Sequence, residues 1–318
     1  MFMIFVVLLA IFVLQSSVEA ADRVRIAIGS ANISQLVFPL AQKRGFFREE
    51  GLEAEIILMR GNIPVAALVN GEIDYYSGIG PVVVAAVRGV PVKVVACYVP
   101  GSPNVLLARP EIKSVKELKG KTIAVGPFGS NPHLIAKMIV KHSGVDPDKD
   151  VKFLSSGPPE SRFLAMKEGL AAAAVLSSPF DFLGKKVGFV VVARAYELFS
   201  YPNGGLTASI KKIRERPDEI KHVIKAGMKA ARYINQNREG TIQVLMEWLK
   251  TDKETATATY ESNSKTFSAD GSIPEDGLRL VIEEAKTSAN IQRQVPVSDV
   301  ADLTILRAAQ MELGIKGK

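Results

Sequence analysis

Two stretches of this chain carry the same punctuation at the same spacing. Ile26-Ala27-Ile28-Gly29 leads, 45 residues on from Ile26, to Gly71; Ile123-Ala124-Val125-Gly126 leads, 46 residues on from Ile123, to Gly169. In both, that glycine runs ten residues to a proline, Pro81 in the first and Pro179 in the second. Each stretch alternates short apolar runs of strand type with helix-like runs closed by glycine, which predicts parallel strands covered by helices. Two copies, not a long series, predict duplicate α/β lobes and no solenoid.

In the first copy the expected strands are 23–28, 52–59 and 73–77, with helices over 39–44 and 64–70 stopped by Gly45 and Gly71. The segments 96–104 and 200–205, both bearing proline and glycine, are expected to be crossovers between lobes. After Pro217 the pattern turns helical, over 218–236, 241–249, 253–266, 274–288 and 298–313. Pro217 and Pro274 suit first helical turns, and Asp252 and Ser298 suit N-caps. Ile234, Leu245, Trp248 and Leu249 are expected in the core. The resulting division is a leader over 1–20, one lobe from 21–98 with 204–318, and a second lobe from 99–203.

The apolar run from Met1 to Leu14 is too short for a spanning helix and suits a secretory leader, with Val18 and Ala20 marking a cut after Ala20. An uncleaved N-terminal anchor is the alternative. No cysteine follows the run, so lipid attachment there is not expected. The formal net charge is +7, yet basic residues alternate with acidic ones, as in Glu215-Arg216-Pro217-Asp218-Glu219-Ile220-Lys221. This reads as a solvated helix face and not as a nucleic-acid or membrane surface.

One cysteine, Cys97, excludes an internal disulfide and a paired-cysteine zinc site, and His133, His142 and His222 lack metal-ligand spacing. No metal or cofactor is expected. Nucleophile-elbow, zinc-protease and P-loop motifs are absent from the sequence. Cys97 reads as a small buried hydrophobe.

In parallel α/β sheets, ligands sit beyond the carboxyl ends of strands, at helix starts. Five such loops are expected here: 29–34, 60–62, 77–81, 126–133 and 177–180. They are rich in Gly, Ser, Asn and Pro and contain no Asp or Glu; Arg60 is their one formal charge, with His133 a possible second. A buried cation would require a carboxylate partner. Backbone amides, hydroxyls and an arginine can instead hold an anion or a neutral polar group, so the expected solute is a small organic anion or polar heterocycle: a sulfonate, nitrate, a carboxylate or a pyrimidine-like ring. The candidate contacts are Ser30, Asn32, Arg60, Asn62 and Ser77 from the first copy, and Ser130, Asn131, His133 and Ser178 from the second. Tyr98 and Asn203 join them from the crossovers.

The segment 39–52 (Pro39-Leu40-Ala41-Gln42-Lys43-Arg44-Gly45-Phe46-Phe47-Arg48-Glu49-Glu50-Gly51-Leu52) resembles the opening of the SsuA/TauA-like binding proteins. Segments 67–74, 89–96, 114–121, 126–133 and 146–151 continue the resemblance, which covers most of the chain and is most specific over 36–180. This is the nitrate, sulfonate, taurine and thiamine-pyrimidine-precursor branch of solute-binding proteins. It implies a type II periplasmic-binding-protein fold: two α/β lobes, two crossovers and a helical C-terminal region. It also implies a monomeric periplasmic protein that closes around a small solute and delivers it to an ABC permease and its ATPase. Nucleic acid is not an expected partner, and membrane contact is expected only through the permease. One departure is Ala172, where the family usually carries an acid; the first lobe keeps Asp74. Pyrimidine-precursor synthases share this fold but carry a cysteine-rich segment. An enzyme of that kind is therefore the rival reading, and a ligand sensor without transport is a third.

Overall fold

The computed structural model describes residues 21–61 and 63–315. The leader and Asn62 lie outside the described residues. Among the described residues ten strands form two five-stranded sheets. The first sheet contains β1 (Asp22–Ile28), β2 (Leu52–Leu58), β3 (Tyr75–Gly78), β4 (Val92–Val99) and β10 (Gly204–Ser209), in the order β2-β1-β3-β10-β4. The second contains β5 (Val105–Ala108), β6 (Thr122–Val125), β7 (Lys152–Ser155), β8 (Ala173–Leu176) and β9 (Val190–Arg194), in the order β7-β6-β8-β5-β9.

The internal repeat is visible in the registers. Ile26 lies between Ile56 and Tyr75, and Ile123 lies between Phe153 and Ala173, all in parallel ladders. Gly71 and Gly169 both have φ near +75°, a left-handed turn conformation that glycine adopts without penalty. Each sheet holds one antiparallel strand in the fourth position: β10, which returns to the first sheet from beyond the second, pairs with β3 and β4, and β5, which opens the second sheet's own run of chain, pairs with β8 and β9. The molecule is thus an α/β protein of two lobes joined by two crossovers. The links are shorter than expected, because β4 runs through Val99 and β10 begins at Gly204.

Apolar residues facing the helices drive this arrangement. Val24, Ile26 and Ala27 of β1 are fully buried, and a fully buried Val or Ile contributes roughly 1.5–3 kcal/mol. The helix Pro217–Gln236 carries a continuous apolar stripe, with Ile220, Val223, Ile224 and Ile234 buried in the same cluster as Phe38 and Leu40 of the helix Val37–Arg44. Pro217 opens its first turn, and Asp252 caps the helix Lys253–Asn263 by accepting from the Thr255 amide at 2.7 Å. Leu245 is buried, whereas Trp248 and Leu249 pack half-buried against the same core.

Two tail expectations need correction. The helix expected over 298–313 is broken into Val297–Val300 and Thr304–Glu312. Between them Ala301 bridges Val94, and the Asp302 amide donates to the Val94 carbonyl at 2.9 Å, so the chain leaves the helix to complete the edge of β4. Pro296, not Ser298, is the N-cap there, and Pro274 caps the helix Glu275–Ala289 from outside.

Asp74 and Ala172 occupy matching positions: the Asp74 amide donates to Arg25 O, and the Ala172 amide to Thr122 O, each at 2.9 Å. The Asp74 carboxylate accepts from the Arg25 amide at 2.9 Å and pairs with Arg25 Nε and Lys212 Nζ, both at 3.1 Å. Burial works to raise its pKa, but these partners outweigh burial and hold it low. The acid serves the architecture of the first lobe, and its replacement by Ala172 removes no group from the cleft.

Candidate functional site

The carboxyl ends of β1, β2, β3, β6 and β7 face one cleft between the lobes. It is lined on one side by Ser30, Asn32, Arg60 and Tyr76, and on the other by Ser130, Pro158 and Arg162. Its free interior, about 130 Å³ measured to the centre of a water-sized sphere, has room for on the order of ten waters. Among the described residues no Asp or Glu lines it, and Arg60 and Arg162 are its charged residues.

Asn32 shapes the first wall. Its Oδ1 accepts from the Ser34 amide at 3.0 Å and from Ser34 Oγ at 2.6 Å, while Nδ2 donates to Ser30 Oγ at 2.7 Å. With both ends of its amide engaged, Asn32 fixes the loop and presents Ser30. Tyr76, from β3, folds its ring over Gly78, where a Cβ would lie 2.4 Å from the phenol oxygen. Burial pushes the Tyr76 phenol up to about 12, so it stays a neutral donor.

The second wall holds the groups that most need a ligand. Arg162, in the helix Pro159–Lys167, is 3% exposed. Its Nη1 donates to the Val175 carbonyl, its buried Nε has no partner, and no carboxylate forms an ion pair with it among the described residues. Burial lowers the guanidinium to about 10, partly offset by Glu160, so it remains a cation at neutral pH. Ser130 precedes the helix Asn131–His142, and its buried Oγ also lacks a partner. A buried cation and a buried hydroxyl, both unsatisfied, lie on the same side of one cavity. Buried polar groups are otherwise almost always bonded, so what this wall can offer chemically is a fixed positive charge beside a free hydroxyl donor.

Asn131 and the crossovers form the hinge side. The Asn203 amide donates to Val99 O at 2.9 Å, and the Ala195 amide to Asn104 O at 3.0 Å, tying the two crossovers together. Asn131 Nδ2 donates to the Asn203 carbonyl at 3.0 Å and to Asn203 Oδ1 at 3.1 Å, while Tyr201 Oη donates to Asn131 Oδ1 at 3.3 Å. This amide sits directly against Gly80 of the first lobe, where a Cβ would come within 1.9 Å of it.

Of the residues singled out in the sequence, Ser30, Asn32, Arg60, Ser130, Asn131 and Asn203 line the cleft, and four of the five loops reach it. Four residues do not. Tyr98 is buried in the core with its hydroxyl bonded to Ile224 O at 3.3 Å, and Ser77 is turned beneath the wall to donate to Gln35 Oε1. Ser178 is buried at the far side, accepting from Asn263 Nδ2 at 2.9 Å. His133 lies behind the helix start between Phe128 and Phe153, where Nδ1 accepts from the Gly129 amide at 3.0 Å. Burial, assisted by Lys137, lowers it to about 4, so it is neutral. Arg162, Tyr76, Gln35 and Asn104 line the cleft and were not singled out. Cys97 is buried in β4, where desolvation raises its thiol well above the usual range.

The NMT1/THI5-like family model matches residues 32–240, more than half of the chain. The chain belongs to the NMT1/THI5-like family. A candidate binding protein of Brucella abortus (strain 2308) is 24% identical over 261 residues, covering 80% of each chain. Among solved structures, the nitrate-binding protein NrtA of Synechocystis PCC 6803 matches with a TM-score of 0.75 at 15% identity, covering 93% of this chain and 89% of that one. The alkanesulfonate-binding protein SsuA of Xanthomonas axonopodis pv. citri, bound to MOPS, matches with a TM-score of 0.70 at 18% identity, covering 90% and 97%. The desulfurization enzyme DSZB shares the same architecture, with a TM-score of 0.67 at 13% identity over 92% and 99%. At these identities the fold is common to binding proteins and an enzyme, and function must be argued from the site.

Proposed function

We propose that this protein is the extracytoplasmic solute-binding component of an ABC importer, capturing a small organic anion by closure of two lobes, 21–98 with 204–318 and 99–203. The observation that carries this reading is Arg162: a buried, unpaired guanidinium facing a cavity with no carboxylate in its lining. An anion between the lobes would pair with it, take a hydrogen bond from Ser130 Oγ, and draw Arg60 over the cleft mouth. Contacts to both walls make the closed form the tighter binder, so the solute shifts the population toward it. The closed form would then be presented to a permease and its ATPase from the periplasmic side. The binding-protein names of relatives and the sulfonate- and nitrate-binding proteins of like fold support this role. Cys97, the chain's one thiol, is buried away from the cleft and held protonated, which weighs against a catalytic reading.

A thermal-shift screen tests the proposal. Sulfonates, carboxylates and nitrate are compared with polar heterocycles and with organic ammonium ions of matched size. A true ligand at ~100 times its dissociation constant should add ~2.7 kcal/mol. Stabilisation by ammonium compounds alone would refute the reading.

A further inference from the structure

Away from the cleft, the lobes meet in two contacts of opposite character. In one, an apolar core runs through both lobes: Val83 of the helix Ile79–Val87 and Leu278 of the helix Glu275–Ala289 share a cluster with Ile135 and Ile139 of the helix Asn131–His142. Lys141 pairs with Glu284 across it at 2.8 Å. In the other, the helix Lys253–Asn263 of the first lobe lies against the helix Phe180–Lys186 of the second. Lys186 pairs with Glu254 at 2.6 Å, and Asn263 Nδ2 donates to Ser178 Oγ at 2.9 Å, so these two helices run antiparallel. Among the described residues no apolar cluster spans this seam. Ala256 and Tyr260 pack with Val24 and Ile26, whereas Phe180 packs with Leu107 and Leu176.

The seam also carries buried polar atoms with nothing to bond. Thr255, Thr259 and Asn263 fall at i, i+4 and i+8, one line along the helix, and Asn263 brings the end of that line onto Ser178. One turn back, the Thr259 hydroxyl is fully buried without a partner. Three residues past Ser178, Asp181 is 4% exposed, its Oδ1 has no partner, and it enters no ion pair among the described residues. A carboxylate in that state costs the closed arrangement free energy that hydration would return. The polar contacts holding the seam shut are weak by comparison: a bond between two uncharged side chains and an exposed ion pair.

We propose that Asp181 sets solute affinity from outside the cleft. Its unpaired carboxylate biases the empty protein toward a form in which the helices Phe180–Lys186 and Lys253–Asn263 part, the lobes pivoting about the apolar contact and the crossovers. The proposal rests on the reading above only for closure itself. Opening is then a one-sided swing, and solute binding works against the bias, so Asp181 lowers affinity without touching the solute.

Electron-spin distance measurement on protein stripped of solute by unfolding and refolding tests this with no ligand present. Cys97 is buried, so spin labels attach to introduced pairs at exposed positions: Lys185→Cys with Lys253→Cys across the seam, and His142→Cys with Thr287→Cys across the apolar contact. The seam pair should show a long-distance population that the second pair lacks. Asp181→Asn, nearly the same shape without the charge, should cut the open-to-closed ratio at least about tenfold. Thr259→Val should shift it the same way by less. The distance across the apolar contact, unchanged in both variants, checks the fold. A seam pair as narrowly distributed as the second pair, or a long population at the apolar contact instead, would overturn the proposal. So would an open population unmoved by Asp181→Asn. Because no ligand enters, these outcomes are separate from the thermal-shift screen, which alone judges the anion reading.

Discussion

Replacing Arg162 with methionine should make the empty protein more stable and the binding protein worse, a pair of opposite signs that few substitutions share. Burial lowers the guanidinium to about 10. One pKa unit corresponds to ~1.36 kcal/mol, so keeping this charge in the empty fold costs on the order of 3 kcal/mol. Methionine removes that cost, fills much of the same volume and abandons the bond to the Val175 carbonyl, a loss of about 1–3 kcal/mol. The balance favours the variant by about 1 kcal/mol, or roughly 1–2 °C in melting temperature for a chain of this size. The sign with pH is fixed: the charge is present, and destabilising, at every pH below about 10. The gain should therefore be constant between pH 5 and 8. On the ligand side, a charge-assisted hydrogen bond is worth about 1.5–3 kcal/mol, so anion affinity should fall by roughly tenfold to a hundredfold. Scanning calorimetry on protein stripped of solute by unfolding and refolding, with and without a saturating anion, measures both effects. A variant that melts lower when empty, or still binds the anion as before, would refute the assignment of Arg162 as an uncompensated cation awaiting its partner.

Two further substitutions probe the hinge side and the loop behind the helix start. Gly80→Ala places a methyl group where the Asn131 amide now sits. Displacing that amide breaks up to three hydrogen bonds of about 1 kcal/mol each, so chemical denaturation should show stability lowered by up to about 3 kcal/mol; unchanged stability would show that the Asn131 amide is not held against Gly80. His133→Gln addresses acid sensitivity. Because the folded protein holds this imidazole near 4, below its ordinary value, stability should decline as pH falls from about 6.5 to 4, where the unfolded chain gains a proton and the fold does not. Chemical denaturation across that range should show the decline blunted in His133→Gln, and an identical pH profile would exclude the histidine as its source.

The lobes were legible because turns are written in glycine. Gly45, Gly71 and Gly169 all adopt positive φ, and their spacing exposed the duplication before any contact was visible. Ser30, Asn32, Arg60 and Ser130 were legible for a related reason: they lie just past strand ends, where parallel sheets present their loops. Arg162 was not. Glu160-Ser161-Arg162 reads as a solvated helix turn, and only the fold reveals that this helix buries its guanidinium behind β8. A signal existed upstream, since Ser155-Ser156-Gly157-Pro158-Pro159 is a sixth strand-to-helix loop with the composition of the other five. Tyr98 and Ser77 misled in another way. Both are polar groups near strand ends, but the side-chain direction that decides between cleft and core is set by bulges and pairing that composition does not encode. Ser178 belongs to a loop that the helix Lys253–Asn263 covers from the distant end of the chain.

The late return of β10 gives the two halves unequal histories during synthesis. Residues 105–194 contain every strand of the second sheet, so a growing chain can complete it before the remainder has emerged. The first sheet cannot do this: β3 and β4 are joined only through β10, and until residues 204–209 arrive the fourth of its five positions stands open. The half made first therefore finishes last, and a chain cut short after Arg194 would carry one intact sheet beside one split in two.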